Sequence, residues 1–549
     1  MKRTVVRLLL AVLAPFPLFA ASSTPTGPGL QGTPENQVFQ FVQQGTVSYV
    51  EGNELSAAAY LWIPENCRRL RGLLIMGTNV PEHGLVGHPA IREACAANDL
   101  GIVWSTPSFF NYHNQDGRKT VAFLQELLDG LARKSGYSEV ATVPWLPMGE
   151  SAHLRMLYQL LNEAPQRCIA AIFMKNMPSY TLLKNYDAPV LATLGTAQEW
   201  YQDQSDIRTK WNNLSFYENF LRQRAKFPQW PASLLVEGGS GHFECTEKMV
   251  SYFADYITTA VRARLPEEPG QPLRPVSLDK GFVTGMPLPG RDDFAPAPAG
   301  DVPPERRPMA WFLTEELARR ARETAAINWE AETQLPAFVD EQGNTLPMAY
   351  QGITKLAPVS SDPDGITFSL KGRLLPAIPA GFVGEGAPLA AAPGEPRVEW
   401  VSGPIAPMAG GKFRIALDRT WPKGLFCVVL RHPGTDRIRD VVQPGVIVLN
   451  PNTAGFAQTI AFAAIPDQAS GTATIPLTAS SDSGMPVRFF VVAGPAIIEG
   501  SSVKLLPIPP RTLFPVEVTV TAWQWGRSIE PLVQTAKPVT HTFRILAPK

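Results

Sequence analysis

From about residue 40 to 262 the chain alternates short apolar runs with stretches of helical period. Ala57–Ile63, Arg71–Met76, Leu100–Ser105, Val143–Met148, Ile169–Met174, Val190–Leu194 and Leu234–Val236 read as strands. Most are apolar throughout rather than alternating, as expected of strands covered on both faces. Between them, Pro89–Asn98, Thr120–Lys134, Leu154–Asn162 and Glu247–Arg264 read as helices. In the second, Val121, Leu124, Leu127, Leu128 and Leu131 recur at a spacing of three and four, which places them on one face. Strands that alternate with helices predict an α/β domain: a doubly wound, mainly parallel sheet over 40–265. Ligands bind such sheets in loops at the carboxyl ends of the strands.

The pattern changes afterwards. Residues 265–310 are rich in proline and glycine, as in Pro266-Glu-Glu-Pro and Phe294-Ala-Pro-Ala-Pro-Ala-Gly-Asp-Val-Pro-Pro, and predict an extended linker or surface strap. Trp311–Ala326 predicts one amphipathic helix, so that 266–330 is linker plus helix. From 331 to 450 short strand-like runs (Ile366–Leu370, Lys412–Leu417, Leu425–Leu430, Gly445–Leu449) alternate with turns, which predicts an all-β module. Asn450-Pro-Asn-Thr-Ala-Gly reads as a junction, and 456–549 as a further β unit. Proline is frequent through this half, in keeping with low helix content.

The first 21 residues read as an export signal: Lys2, Arg3 and Arg7 precede a short apolar stretch that is broken by Pro15 and Pro17 and closed by Ala20 and Ala21. No later segment approaches the roughly 20 apolar residues needed to span a bilayer. The expected location is therefore secreted, periplasmic or cell-surface, without membrane insertion. Lys plus Arg equals Asp plus Glu at 49 each, so no long-range field draws the chain to nucleic acid. Five cysteines, at 67, 95, 168, 245 and 427, match no metal spacing. Phosphate-binding and His-Glu-x-x-His motifs are absent. His83, His88 and His113 form a loose group with no fixed spacing, so neither a metal nor a cofactor is expected.

Three loops carry the candidate chemistry: Met148-Gly-Glu-Ser-Ala-His, Leu194-Gly-Thr-Ala-Gln-Glu and Gly239-Ser-Gly-His-Phe-Glu. Serine, carboxylate and histidine follow one another in that order, each after a strand-like run. This order resembles the triad of the α/β-hydrolase family over roughly 45–262. The resemblance implies Ser151 as nucleophile, His242 as general base and then acid, and a carboxylate that orients the imidazole. Glu199 is the favoured carboxylate, with Asp203 and Asp206 as rivals. The oxyanion hole would use the N–H of Ala152 and that of Thr78, in the loop after Arg71–Met76. His153 stands where the nucleophile elbow ordinarily has glycine, and is expected to widen the turn. Cys245, three residues after His242, is expected to be a buried thiol or half of a disulfide rather than a nucleophile.

Pro144-Trp-Leu-Pro-Met-Gly-Glu-Ser, Pro165-Gln-Arg-Cys-Ile-Ala-Ala-Ile and the Gly-His-Phe stretch resemble secreted bacterial esterases of the polyester-depolymerase and feruloyl-esterase kind. The implied activity is carboxylic ester hydrolysis through an acyl-enzyme, the substrate being an ester, including a polymeric one. Only 13 residues separate Lys175 from Pro189, too few for a large lid. Trp104, Tyr112 and Trp200 (with Phe109, Phe110 and Tyr201) are expected near the site as an aromatic platform for substrate, although core packing explains any one of them equally well. Ile475-Pro-Leu-Thr-Ala-Ser-Ser-Asp-Ser-Gly-Met-Pro-Val and Val516-Glu-Val-Thr-Val-Thr-Ala resemble bacterial Ig-like repeats. That resemblance implies a β-sandwich that spaces the first domain or contacts a surface or polysaccharide. A competing expectation is a hydrolase-shaped binding protein without turnover, favoured by Glu150 and His153 on either side of Ser151.

Overall fold

The computed structural model describes residues 34–548 apart from 51–52, 110–115, 177, 179–181, 198–205, 209–213, 350–351, 358–361 and 423–425. The export signal lies outside them. Eight strands form one sheet: β1 Phe41–Val50, β2 Asn53–Trp62, β3 Gly72–Gly77, β4 Leu100–Ser105, β5 Trp145–Glu150, β6 Ala171–Met174, β7 Val190–Gly195 and β8 Ala232–Glu237. Their order is β1-β2-β4-β3-β5-β6-β7-β8. The first two pair antiparallel, as do β2 and β4, and every later pair is parallel. This is the α/β-hydrolase arrangement, followed by all-β structure. Strands β3, β4, β5, β7 and β8 are buried at every position, so their uniform apolar runs reflect cover on both faces.

That cover comes from α1 Glu82–Leu85, α2 Pro89–Ala97, α3 Gly117–Ser135, α4 Leu154–Glu163, α5 Leu214–Lys226, α6 Glu247–Arg264 and α7 Glu315–Ala325. The Asp116 side chain caps α3 by accepting the Arg118 N–H, and Gly136 closes it at φ +82°. Thr246 caps α6 through the Met249 N–H.

The structure shifts one expected helix. Trp311 belongs to the strand Ala310–Phe312, paired with Phe282–Thr284 of the strap, and α7 starts only after the Thr314 cap. Helix α5 and strand β1 were not legible as elements. In α5 the buried Tyr217 and Phe220 are interleaved with charged residues, and even Gln223 and Arg224 are buried. Polar residues with buried partners erase the apolar period that identifies a helix.

No α-helix follows Ala325 among the described residues. Arg397–Ser402, Cys427–His432, Val441–Ile447 and Thr354–Leu356 make a four-stranded sheet. Farther on, Gln468–Ala469, Val539–Leu546, Val516–Trp523 and Arg488–Ala493 make another, beside a three-stranded sheet of Thr474–Pro476, Ser502–Leu505 and Ala496–Glu499. Both regions dock on the α/β domain. Gly403 N–H donates to His83 Nδ1 at 3.0 Å, and Gly494 N–H to the Phe39 carbonyl at 2.9 Å. One buried apolar cluster runs from Phe39 to Ile545. Among the described residues no helix is long and apolar enough to cross a membrane.

Candidate active site

Strand β5 delivers Ser151 at its carboxyl end, immediately before a 3-10 turn, Ser151–His153, that leads into α4. Ser151 has φ +51°, a left-handed backbone that an L side chain adopts only when its surroundings impose it. That is the strained elbow expected of a nucleophile on a strand-to-helix turn. His153 occupies the elbow without abolishing it. A Cβ on Gly149 would lie 2.9 Å from His153 Cβ, so the glycine before the serine provides room for the bulky residue after it. His153 is fully buried, with Nδ1 3.0 Å from Glu82 Oε1. The same Glu82 oxygen accepts the Glu150 N–H at 2.8 Å. A buried carboxylate on α1 thus ties both flanks of the serine together.

His242 lies on the loop after β8, and its Nε2 is 2.8 Å from Ser151 Oγ. The pair anticipated from the sequence is therefore brought together across 91 residues. Sequence reasoning missed the role of the neighbouring carboxylate: Glu150 Oε1 lies 3.3 Å from the same Nε2, and Glu150 is completely buried. Asn79 Nδ2 donates to the Glu150 carbonyl at 3.0 Å and also to Oε2. The signal was inside the motif, since Glu150 closes the fully buried strand β5 directly before Ser151 and is held close to whatever meets the serine.

Of the acid candidates, Glu199 and Asp203 lie outside the described residues. Asp206 is half-exposed, and both of its oxygens are taken by Arg208 at 2.9 Å. Those hydrogen bonds hold its carboxyl below the usual aspartate range. An acid so engaged is poorly placed to orient an imidazole.

Ala152 lies inside the 3-10 turn Ser151–His153 that leads into α4, where the helix dipole favours negative charge. The other expected donor is different in the structure. Thr78 N–H donates to the Ser105 carbonyl at 2.9 Å, and its hydroxyl to the same oxygen at 2.8 Å. Pairing of the β3 end with β4 therefore occupies the Thr78 amide. The residue of that loop that touches the elbow is Asn79.

Trp104 is a packing residue rather than an open platform. It is 1% exposed, stacks on His83 at 5.5 Å with an interplanar angle of 4°, and packs on Phe39. Phe109 is fully buried against Phe123. Tyr112, Trp200, Phe110 and Tyr201 lie outside the described residues. His83 and His88 do not converge: one contacts Gly403 and Asp418, the other Glu247, while His113 lies outside the described residues. All five cysteines are free and buried, and burial pushes the Cys245 thiol well up, which makes it a poor nucleophile.

Behind the histidine loop sits a second charged group. Lys175, at φ +55° and buried, donates to Ser240 Oγ, and its Nζ is 3.9 Å from Glu237 Oε2. Burial raises the Glu237 carboxyl above its ordinary range; Lys175 opposes this and Glu244 adds to it.

No protein-family model and no curated protein matches the sequence. Solved structures that resemble it do so over about two-fifths of the chain. A dienelactone hydrolase from Anabaena variabilis is 16% identical, over 41% of this chain and 99% of that one, with a TM-score of 0.28. A poly(3-hydroxybutyrate) depolymerase from Bordetella parapertussis is 12% identical, over 43% and 96%, with a TM-score of 0.28. An S-formylglutathione hydrolase from Agrobacterium tumefaciens is 12% identical, over 39% and 91%, with a TM-score of 0.26.

Proposed function

We propose that this protein is an exported serine hydrolase that cleaves carboxylic esters through an acyl-enzyme. The observation that carries the reading is Ser151, strained at φ +51° on the elbow, with its Oγ 2.8 Å from His242 Nε2. In this reading His242 takes the hydroxyl proton as Ser151 attacks the ester carbonyl, then gives it to the leaving alkoxide. Water repeats the cycle on the acyl-enzyme. Glu199 is the proposed acid on the far side of the imidazole. Ala152 N–H is the first oxyanion donor. Because the Thr78 amide is engaged by Ser105, the second is assigned to the Asn79 N–H. Loss of one such donor typically costs about 3–4 kcal/mol of transition-state stabilisation.

The short segment between Lys175 and Pro189 favours substrates too bulky for a lidded pocket, polymeric esters among them. The export signal, and a surface or polysaccharide contact through the C-terminal β structure, belong to the same proposal. One observation favours a second reading, a hydrolase-shaped binding protein: Glu150 sits against the nitrogen that must act as base.

A fluorophosphonate probe on the purified protein, with the adduct located by mass spectrometry, separates the two. Labelling at Ser151 that disappears in His242→Ala supports the hydrolase. A folded protein that takes no label at Ser151 overturns it in favour of the binding protein.

A further inference from the structure

The loop that carries His242 contains Gly238, Gly239 and Gly241. So much glycine gives the backbone wide freedom, which must be removed if the imidazole is to hold one position. Part of the restraint comes from the residues that follow β7. Gly239 N–H donates to Thr196 Oγ1 at 3.0 Å, and Ala197 N–H to the Ser240 carbonyl at 3.0 Å.

The remainder comes from nearly two hundred residues downstream. Arg431, on the strand Cys427–His432, donates through Nη1 to the Gly239 carbonyl at 3.1 Å. Its Nη2 lies 3.0 Å from Glu244 Oε2. Glu244 Oε1 accepts the N–H of Gly241, the residue before His242, at 2.6 Å. One guanidinium therefore grips the loop on both sides of Ser240, directly at a carbonyl and through a buried carboxylate at an N–H. Glu399 steadies the guanidinium at Nε, 2.9 Å away. The planar fork of arginine suits such double engagement, and a lysine cannot reproduce it.

The backbone is shaped for the same contact. At Gly241 a Cβ would come within 2.7 Å of Val442 Cγ2, and at Gly239, φ +71°, within 2.5 Å of Asp440 Cβ. The loop is thus glycine where the strand Val441–Ile447 and the residue before it press against it.

We propose that Arg431 is a positioning residue for His242, acting through Gly239 and Glu244, so that the β structure from 397 to 447 completes the active site. This inference rests on the hydrolase reading above.

The test uses the full-length protein and a soluble p-nitrophenyl ester, with turnover expressed per fluorophosphonate-titrated site. In Arg431→Gln and in Glu244→Gln, kcat per site should fall by about 10–100-fold, the range for a misplaced catalytic group, with KM changed less than about threefold. The double variant should fall no further than the worse single one, because the two side chains act as a unit. In Arg431→Ala, millimolar ethylguanidinium should restore part of the lost rate and leave the wild type unaffected. Should the Gln variant fail to fold, Arg431→Lys keeps the charge but cannot span both acceptors, and should show the same loss. Turnover per site within about twofold of wild type in the folded Arg431 variants, or losses that multiply in the double variant, overturns the proposal. A wild type that neither labels nor turns over sinks the hydrolase reading instead.

Discussion

Glu150 Oε1 approaches His242 Nε2 to 3.3 Å, on the same nitrogen that Ser151 Oγ approaches to 2.8 Å. A carboxylate can only accept from that nitrogen, so it favours the imidazole once it has taken up the serine proton. It stands beside the base, not behind it, and differs from a triad acid in that respect. Replacing Glu150 by Gln removes the charge and keeps the shape. With no negative charge facing the imidazolium of the transition state, kcat should fall while KM changes little. Steady-state kcat and KM of the two proteins check this; an equal kcat would show that Glu150 has no influence on the reaction.

The acid that orients His242 is open to direct assignment. Glu199→Gln should lower kcat by about 10⁴-fold, the effect of losing the correct imidazole tautomer. Asp206→Asn should leave the rate close to wild type, because Arg208 already engages both oxygens. A near-normal rate in Glu199→Gln together with collapse in Asp203→Asn would transfer the role to Asp203.

Restoring glycine at position 153 should harm the protein even though it restores the ordinary elbow. His153 and Glu82 are both fully buried and 3.0 Å apart. Removing the ring leaves the Glu82 carboxylate with less compensation and opens a cavity beside Gly149. A loss of about 3 kcal/mol is expected, at the lower end for a broken buried pair. Urea unfolding of His153→Gly measures it. A variant as stable as wild type would mean that Glu82 finds another partner.

Glu237 predicts how stability depends on pH. Burial raises its folded-state carboxyl above the ordinary value of 4.5. From 4.5 upward to the raised value, the unfolded chain has lost this proton while the folded chain retains it. The group therefore lowers stability as pH rises through that window, and its contribution is most favourable below 4.5. Glu237→Gln cannot ionise, so its stability should fall less than that of wild type on going from pH 4 to 7. Unfolding free energies at several pH values test the slope; parallel curves would show that Lys175 fully offsets the burial.

The eight-stranded sheet and the Ser151–His242 pair were legible because their signals are local. Buried parallel strands read as apolar runs, and an elbow needs Gly149 and Ser151 at one strand-to-helix junction. Local signals also have limits. The polar residues buried in α5 hid that helix, and pairing with Phe282–Thr284 turned Trp311 from a helix into a strand.

By itself the sequence determined most strands of the eight-stranded sheet and the helices α2, α3, α4 and α6, and the order in which serine and histidine meet the sheet. Both follow from hydrophobic period and backbone preference over a few residues. Only the tertiary structure decided that Thr78 gives its amide to Ser105, that Glu82 answers His153, that Glu150 shares a nitrogen with Ser151, and that Arg431 reaches Glu244. Each is a contact between polar groups withdrawn from water. A buried charge takes whichever partner the packing of distant segments brings within reach, and no local pattern records that choice.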